Sequence, residues 1–256
     1  MEWSGLLEID FFLMIPRLKL FTFLLGFLRQ LNPIASLTIG FSEVDVADEA
    51  SNLGVVMDKH MTLSTHINNV CGSAYYAISK IGQIRRFIDQ PTAERLVHAC
   101  VSSRLDSNNS LLYGLPKGAI AKLQRVQNSA IRLVVYVKRG QNIDAARRAL
   151  HWLPIKDRIV FKILLITYKI RNGLAPDYLN DLVTEYTPTR TLRSSSKCLL
   201  QPPSSREILT AFYGDRAFSG AAPSLWNQIP LSIRNADSVN CFKRLLKTYL
   251  FNHPIN

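Results

Sequence analysis

The chain has 256 residues, 47% hydrophobic and 20% charged, a globular composition that excludes disorder and is long enough for one large domain or two modest ones. Its 31 Lys and Arg against 19 Asp and Glu leave a formal net charge of +12, which points to phosphate backbones or anionic surfaces as partners. Thirteen of the cations lie between residues 116 and 172, opposed there only by Asp144 and Asp157, so nearly the whole electrostatic field comes from one region.

The first thirty residues hold two apolar runs, Phe11 to Pro16 and Leu20 to Leu28, broken by Glu8, Asp10, Arg17 and Lys19. Neither run approaches the ~20 residues of a membrane span, and leading Glu2, Glu8 and Asp10 are the wrong sign for a signal peptide. A buried strand or helix is expected there, with an exposed apolar leader as the alternative. Ile34 to Ile39 and Leu53 to Met57 then read as two adjacent strands, joined by a loop through the acidic stretch Glu43 to Glu49.

From Ser64 the period changes. Ile67, Val70, Cys71, Ala74, Ile78 and Ile81 recur at helical spacing as far as Phe87, and Ser64 is placed to cap the start. Pro91 suits the first turn of the next helix, whose stripe is Ala93, Leu96, Val97, Cys100 and Val101. Gly114 and Pro116 end that segment.

The span from Lys117 to about Tyr136 predicts a helix with Ile120, Leu123, Val126, Ala130, Ile131 and Val134 on one side and Lys122, Arg125 and Arg132 on another. Gln124, Gln127 and Asn128 add polar donors between the charges. Such a helix can bury its stripe and present cations to a phosphate backbone, where they gain affinity by releasing counterions. A solvated helix face is the competing reading, which the scarcity of neighbouring acids weighs against. Lys138, Arg139, Arg147 and Arg148 carry the charge onward, and the thirteen cations are expected to face outward as one continuous surface.

Ile155 to Arg171 is apolar on most sides, so it is expected to be the central core helix, with Arg158, Lys162 and Lys169 as its polar strip. Trp152 beside Leu153 and Pro154 reads as a core wedge, the alternative being a stacking platform for a base. Pro176 opens a short helix, Thr187 to Ser205 is a long loop or edge connector carrying Arg190, Arg193 and Lys197 near Arg206, and Tyr213 to Phe251 is again helical.

No GxSxG, HExxH, phosphate loop or DxD pair occurs in the sequence. Cys71, Cys100, Cys198 and Cys241 form no CxxC pair and read as free thiols of a reducing, intracellular compartment, nuclear or cytoplasmic. His98 and Cys100, with Cys71, are too sparse for a metal site, and His60 and His66 near Asp58 lack a convergent nucleophile. The sequon at Asn108 is taken as incidental.

Four blocks, taken in order, carry a family likeness: NLGVVMDKHMTLSTHI from Asn52, LVHACVSSRLDSNNSLLYGLP from Leu96, LHWLPIKDRIVFKILLITYKIRNGLAPDYLNDL from Leu150, and GDRAFSGAAPSLWNQIPLSIR from Gly214. Together they resemble the carboxy-terminal part of reverse transcriptases from LINE-type, non-LTR retrotransposons of the jockey-like and chicken-repeat-like kind. The chain departs from the family's RLDYCN at Arg104 to Asn109, where an aromatic and a thiol are lost.

The predicted elements add up to a mainly α fold with a small β element near the N-terminus, and the resemblance implies that the helices form a helical thumb-like bundle. It implies residues 1–58 as a remnant of the polymerase palm with an apolar leader, 59–186 as the thumb-like domain, and 187–256 as a linker and carboxy-terminal helical region. The partners implied are RNA template and DNA primer, held through the phosphate backbone, with no membrane; palm and endonuclease would belong to the parent enzyme. The metal-binding aspartates and their magnesium would lie in that intact polymerase, so this chain is expected to bind no cofactor and not to synthesise DNA by itself. Lys117, Lys122, Arg125, Arg132, Lys138, Arg139, Arg147 and Arg148 are the expected phosphate ligands, followed by Arg158 and Lys162. A helical module that docks an acidic protein, or a retrotransposon relic without function, are the alternatives.

Overall fold

The computed structural model describes residues 36–39, 42–45, 48–138, 141–187, 198–203 and 216–253. The apolar leader, Arg139, and Arg190, Arg193, Lys197 and Arg206 of the long loop lie outside the described residues. The chain is mainly helical, with a small antiparallel β element near its N-terminus. It divides into two compact units, Met1–Val70 and Cys71–Asn256.

In the first unit, strands β1 (Ser36–Ile39) and β2 (Ser42–Asp45) pair antiparallel, as do β3 (Glu49–Asn52) and β4 (Val55–Asp58). This corrects the sequence reading of two strands joined by an acidic loop: part of the acidic stretch is itself strand, and each hairpin closes locally. The reason at β3 and β4 is the turn. Leu53 and Gly54 have φ of 46° and 79°, both left-handed, which is the two-residue hairpin turn whose twist matches that of its strands.

Asp58, at the end of β4, organises the turn into the first helix. Its carboxylate accepts the backbone N–H groups of His60 at 3.0 Å, Thr62 at 3.1 Å and Leu63 at 2.7 Å, and the Thr62 hydroxyl at 3.0 Å. Burial pushes this carboxyl up, but the bonds from Thr62, Leu63 and His60 outweigh it and hold the group below the usual carboxylate range. Helix α1 (Ser64–Ile84) starts on this platform, so the capping expected of Ser64 falls to Asp58 and Thr62, whose Oγ1 accepts the Ser64 N–H at 3.3 Å. Ser64 is instead the first helical residue.

In the second unit, α2 (Gln90–Val97) is capped by Asp89, which accepts the Thr92 N–H at 3.0 Å, with Pro91 in the first turn as expected. The path continues through a π turn at His98–Ser102 and a helical turn at Ser103–Asp106. Then come α3 (Lys117–Val135), α4 (Asp144–Ala149), α5 (Ile155–Arg171), α6 (Phe218–Gln228), α7 (Leu231–Arg234) and α8 (Val239–Asn252).

Helix α5 is the centre, as its sequence predicts: Ile155, Ile159, Val160, Ile163, Leu164, Ile166 and Ile170 are all buried, and it packs against α3, α6 and α8. Tyr168 extends this core by stacking on Phe242 of α8 at 4.2 Å, while its hydroxyl donates to the Ala236 carbonyl at 2.6 Å. Asn227 of α6 ties down the incoming chain by accepting the Leu200 N–H at 3.0 Å and donating to the Leu200 carbonyl at 2.9 Å.

Candidate nucleic-acid interface

Helix α3 carries the clearest cationic face. Leu123, Val126, Gln127, Ala130, Ile131 and Val134 are buried. At 3.6 residues per turn Lys122, Arg125 and Arg132 fall within an arc of about 80° on the other side. No acidic residue occurs in the helix, so nothing on α3 itself neutralises that arc. The cations also lie near α1: burial pushes the Cys71 thiol up, and the fields of Lys122 and Arg125 pull it back.

The amides expected among these charges turn inward instead. Gln127 is 1% exposed and donates to the Leu153 carbonyl at 2.8 Å. Gln124 accepts the Ile155 N–H at 2.9 Å, so it caps the start of α5, and donates to Gln127 at 2.8 Å and Asn128 at 2.9 Å. They join α3 to α5; the other side is left to exposed Lys122 and Arg125 and to half-buried Arg132, whose Nε is buried.

The described cations of the 116–172 stretch do not form one continuous outer surface. Arg158 pairs with Asp106 at 2.6 Å and Arg171 with Glu185 at 2.8 Å, two carboxylates from outside the cationic stretch. Arg147 pairs with Asp144 at 2.7 Å. Lys117 stands with Lys156 and Arg216 around a cavity, while Lys138 and Arg148 are exposed on the chain after α3 and on α4. Lys162 belongs to a second group: burial and then the neighbouring Lys243 and Lys162 push the Lys169 ammonium down, so three lysines of α5 and α8 crowd together. Helix α8 adds exposed Arg244 and Lys247 beside Lys243. Composition of the 116–172 stretch alone does not reveal that contribution.

Sequence reasoning also missed the residues next to α3. Arg85, 5% exposed, closes the C-terminal end of α3 by donating to the carbonyls of Leu133 at 2.9 Å and Val134 at 2.8 Å, and to Ile88 at 2.9 Å. Its guanidinium lies 4.2 Å from the centre of the Tyr136 ring. Nearby in sequence, Lys80 sits over Tyr76 at 5.4 Å and Arg86 over Phe87 at 4.6 Å. Phe87 is 72% exposed, so the end of α1 pairs cations with open aromatic faces, the combination that stacks on unpaired bases. The signal available in sequence was the interleaving Tyr76, Lys80, Arg86, Phe87.

Trp152 is the core wedge expected: it is 5% exposed, its indole N–H donates to Glu94 at 3.3 Å, and its ring lies 5.0 Å from that of His98. None of the four cysteines is in a disulfide, as expected. Among the described residues no group of three His, Cys, Asp or Glu is arranged to hold a metal, and no helix is long and apolar enough to cross a membrane.

Asp157, in the first turn of α5, is buried with its Oδ1 lacking a hydrogen-bond partner. Burial pushes its carboxyl up, with Lys156 and then Arg147 opposing. A carboxyl raised on folding contributes stability that is full below its unfolded value and is lost as pH rises through the raised folded value. The advantage of Asp157→Asn over the parent, read as urea midpoint, is therefore expected to grow from acid to neutral pH; parallel curves would contradict this.

The chain matches no protein-family model, no curated protein and no solved structure.

Proposed function

We propose that this chain is the template-primer-holding part of a LINE-type non-LTR reverse transcriptase, a helical thumb-like region that grips nucleic acid through its phosphate backbone. The catalytic aspartates of that reaction would lie elsewhere in the polymerase, so holding is the function assigned to these residues. Lys122, Arg125 and Arg132 are the first ligands, supported by Lys138 and Arg148, with the lysine group around Lys162 as a second contact. The single observation that carries the reading is α3 itself, which buries one side and sets three cations on the other with no acid between them. The likeness of the four sequence blocks supports an RNA template and a DNA primer as that nucleic acid.

Salt titration tests it. Affinity for an RNA–DNA hybrid or a DNA duplex is expected to fall log-linearly with salt, with a slope near 0.9 for each phosphate neutralised on B-form DNA. Replacing Lys122, Arg125 and Arg132 together with alanine is expected to lower that slope by about 2 to 3, irrespective of sequence, because each removed cation leaves one counterion in place. An unchanged slope would overturn the proposal and favour docking of an acidic protein on the same face.

A further inference from the structure

We infer that the cavity between the first turns of α3, α5 and α6 is a binding site for a small organic anion with an apolar body, an alkyl carboxylate or alkyl phosphate. The cavity, half open on one side, has a volume of about 870 Å³, within the size range of small-molecule sites, and lies wholly inside the second unit. Its cations are Lys117, Lys156 and Arg216; Ile120, Ile159 and Val160 supply much of its wall, and no carboxylate side chain lines it among the described residues.

Three features converge on an anion. Lys117 and Lys156 stand in the first turns of α3 and α5, so the N-terminal half of each helix brings a lysine to the border of one space. The start of α3 has no side-chain cap: the Ala119 and Ile120 N–H groups donate to the Pro116 carbonyl at 2.9 and 3.4 Å, which leaves those of Lys117 and Gly118 for a ligand. Arg216 is held in place by its neighbours: its Nε donates to the Tyr113 carbonyl at 3.3 Å, and its stem lies over Gly114, where a Cβ would collide with it. Gly114 has φ +71°, so glycine is required there for the backbone and for the arginine.

The rest of the lining selects the body of the ligand. Gln124, the amide side chain of the wall, has spent its oxygen on Ile155 and its N–H groups on Gln127 and Asn128, so it offers nothing to the edge of a base. A free phosphate would leave the isoleucine and valine walls unfilled. An aliphatic chain covers them, and an anionic head meets the cations.

The test is calorimetric titration of the full chain, below micelle-forming concentration, with dodecanoate, dodecyl phosphate, dodecanol and inorganic phosphate. One dodecanoate or dodecyl phosphate per chain is expected, and whichever binds tighter names the head group. Dodecanol is expected to bind at least about tenfold more weakly, and inorganic phosphate without measurable heat. Lys156→Gln with Arg216→Gln is expected to cost about tenfold or more in dodecanoate affinity. Lys156→Gln alone, with a loss of about threefold or more, replaces that pair if its unliganded melting curve falls. Absence of binding by both anionic amphiphiles, dodecanol binding as tightly as dodecanoate, inorganic phosphate binding as tightly as either, or undiminished affinity in the folded variant would each overturn the site. Lys156 and Arg216 are outside the proposed nucleic-acid contacts, so the outcome is independent of the duplex titration.

Discussion

Replacing Arg85 with alanine is expected to destabilise the second unit by about 3 kcal/mol, because three charge-assisted hydrogen bonds vanish at once and buried carbonyls lose their donor. Two of those carbonyls, Leu133 and Val134, belong to the last turn of α3, where a cation also opposes the negative end of the helix. The variant loses the contact with the Tyr136 ring as well. Arg85→Lys restores the charge but not the fork that reaches Leu133, Ile88 and Val134 together, so it is expected to recover less than half of the loss. Urea unfolding measures both; for a unit of this size the alanine variant is also expected to melt about 6 to 12 °C lower. A loss below about 1 kcal/mol would mean that water serves the end of α3 as well as the guanidinium does. The effect bears on function, since a frayed α3 no longer holds Arg132 in line with Arg125 and Lys122.

Trp226→Ala is expected to cost about 3 to 5 kcal/mol, the range for removing a buried aromatic and leaving its cavity. The indole is 0% exposed, its ring lies 6.0 Å from that of Phe242 on α8, and the Arg171 guanidinium lies 5.2 Å from the ring centre. Its N–H also donates to the Cys198 carbonyl at 3.0 Å, which fastens the stretch 198–203 to α6. Trp226→Phe separates the two roles: it keeps most of the apolar contact and abandons the carbonyl, for a cost of about 1 to 3 kcal/mol. Chemical denaturation followed by circular dichroism reads both variants. A cost for Trp226→Ala under about 1.5 kcal/mol would show that α6 and α8 add little to the core around α5.

The long helices were legible because their information is local. The recurrence of Leu123, Val126, Ala130, Ile131 and Val134 every three or four residues already specifies which side of α3 is buried, and the near-continuous apolar surface of α5 marks it as central. Pro91 and Trp152 were read correctly for a similar reason, since each has one dominant local use. Strands β1 and β4 were legible as short β-rich runs; the strands that pair with them, drawn from the acidic stretch, were not. An acidic stretch has low strand propensity, and the left-handed pair at Leu53 and Gly54 that closes β3 on β4 outweighs it.

The candidate site divides along the same line. From sequence alone came the charge excess, its place on α3 and the three cations opposite the buried stripe, because a helix turns composition into a face by geometry alone. Tertiary structure decided which described cations meet carboxylates and where others gather. Asp106 and Glu185 reach Arg158 and Arg171 from distant parts of the chain, Lys117 meets Lys156 and Arg216 at a cavity, Lys243 joins Lys162 and Lys169, and Arg85 ends α3. Each of these depends on contact between residues 14 or more positions apart, and a Coulomb interaction depends on separation in space, which one-dimensional spacing does not carry.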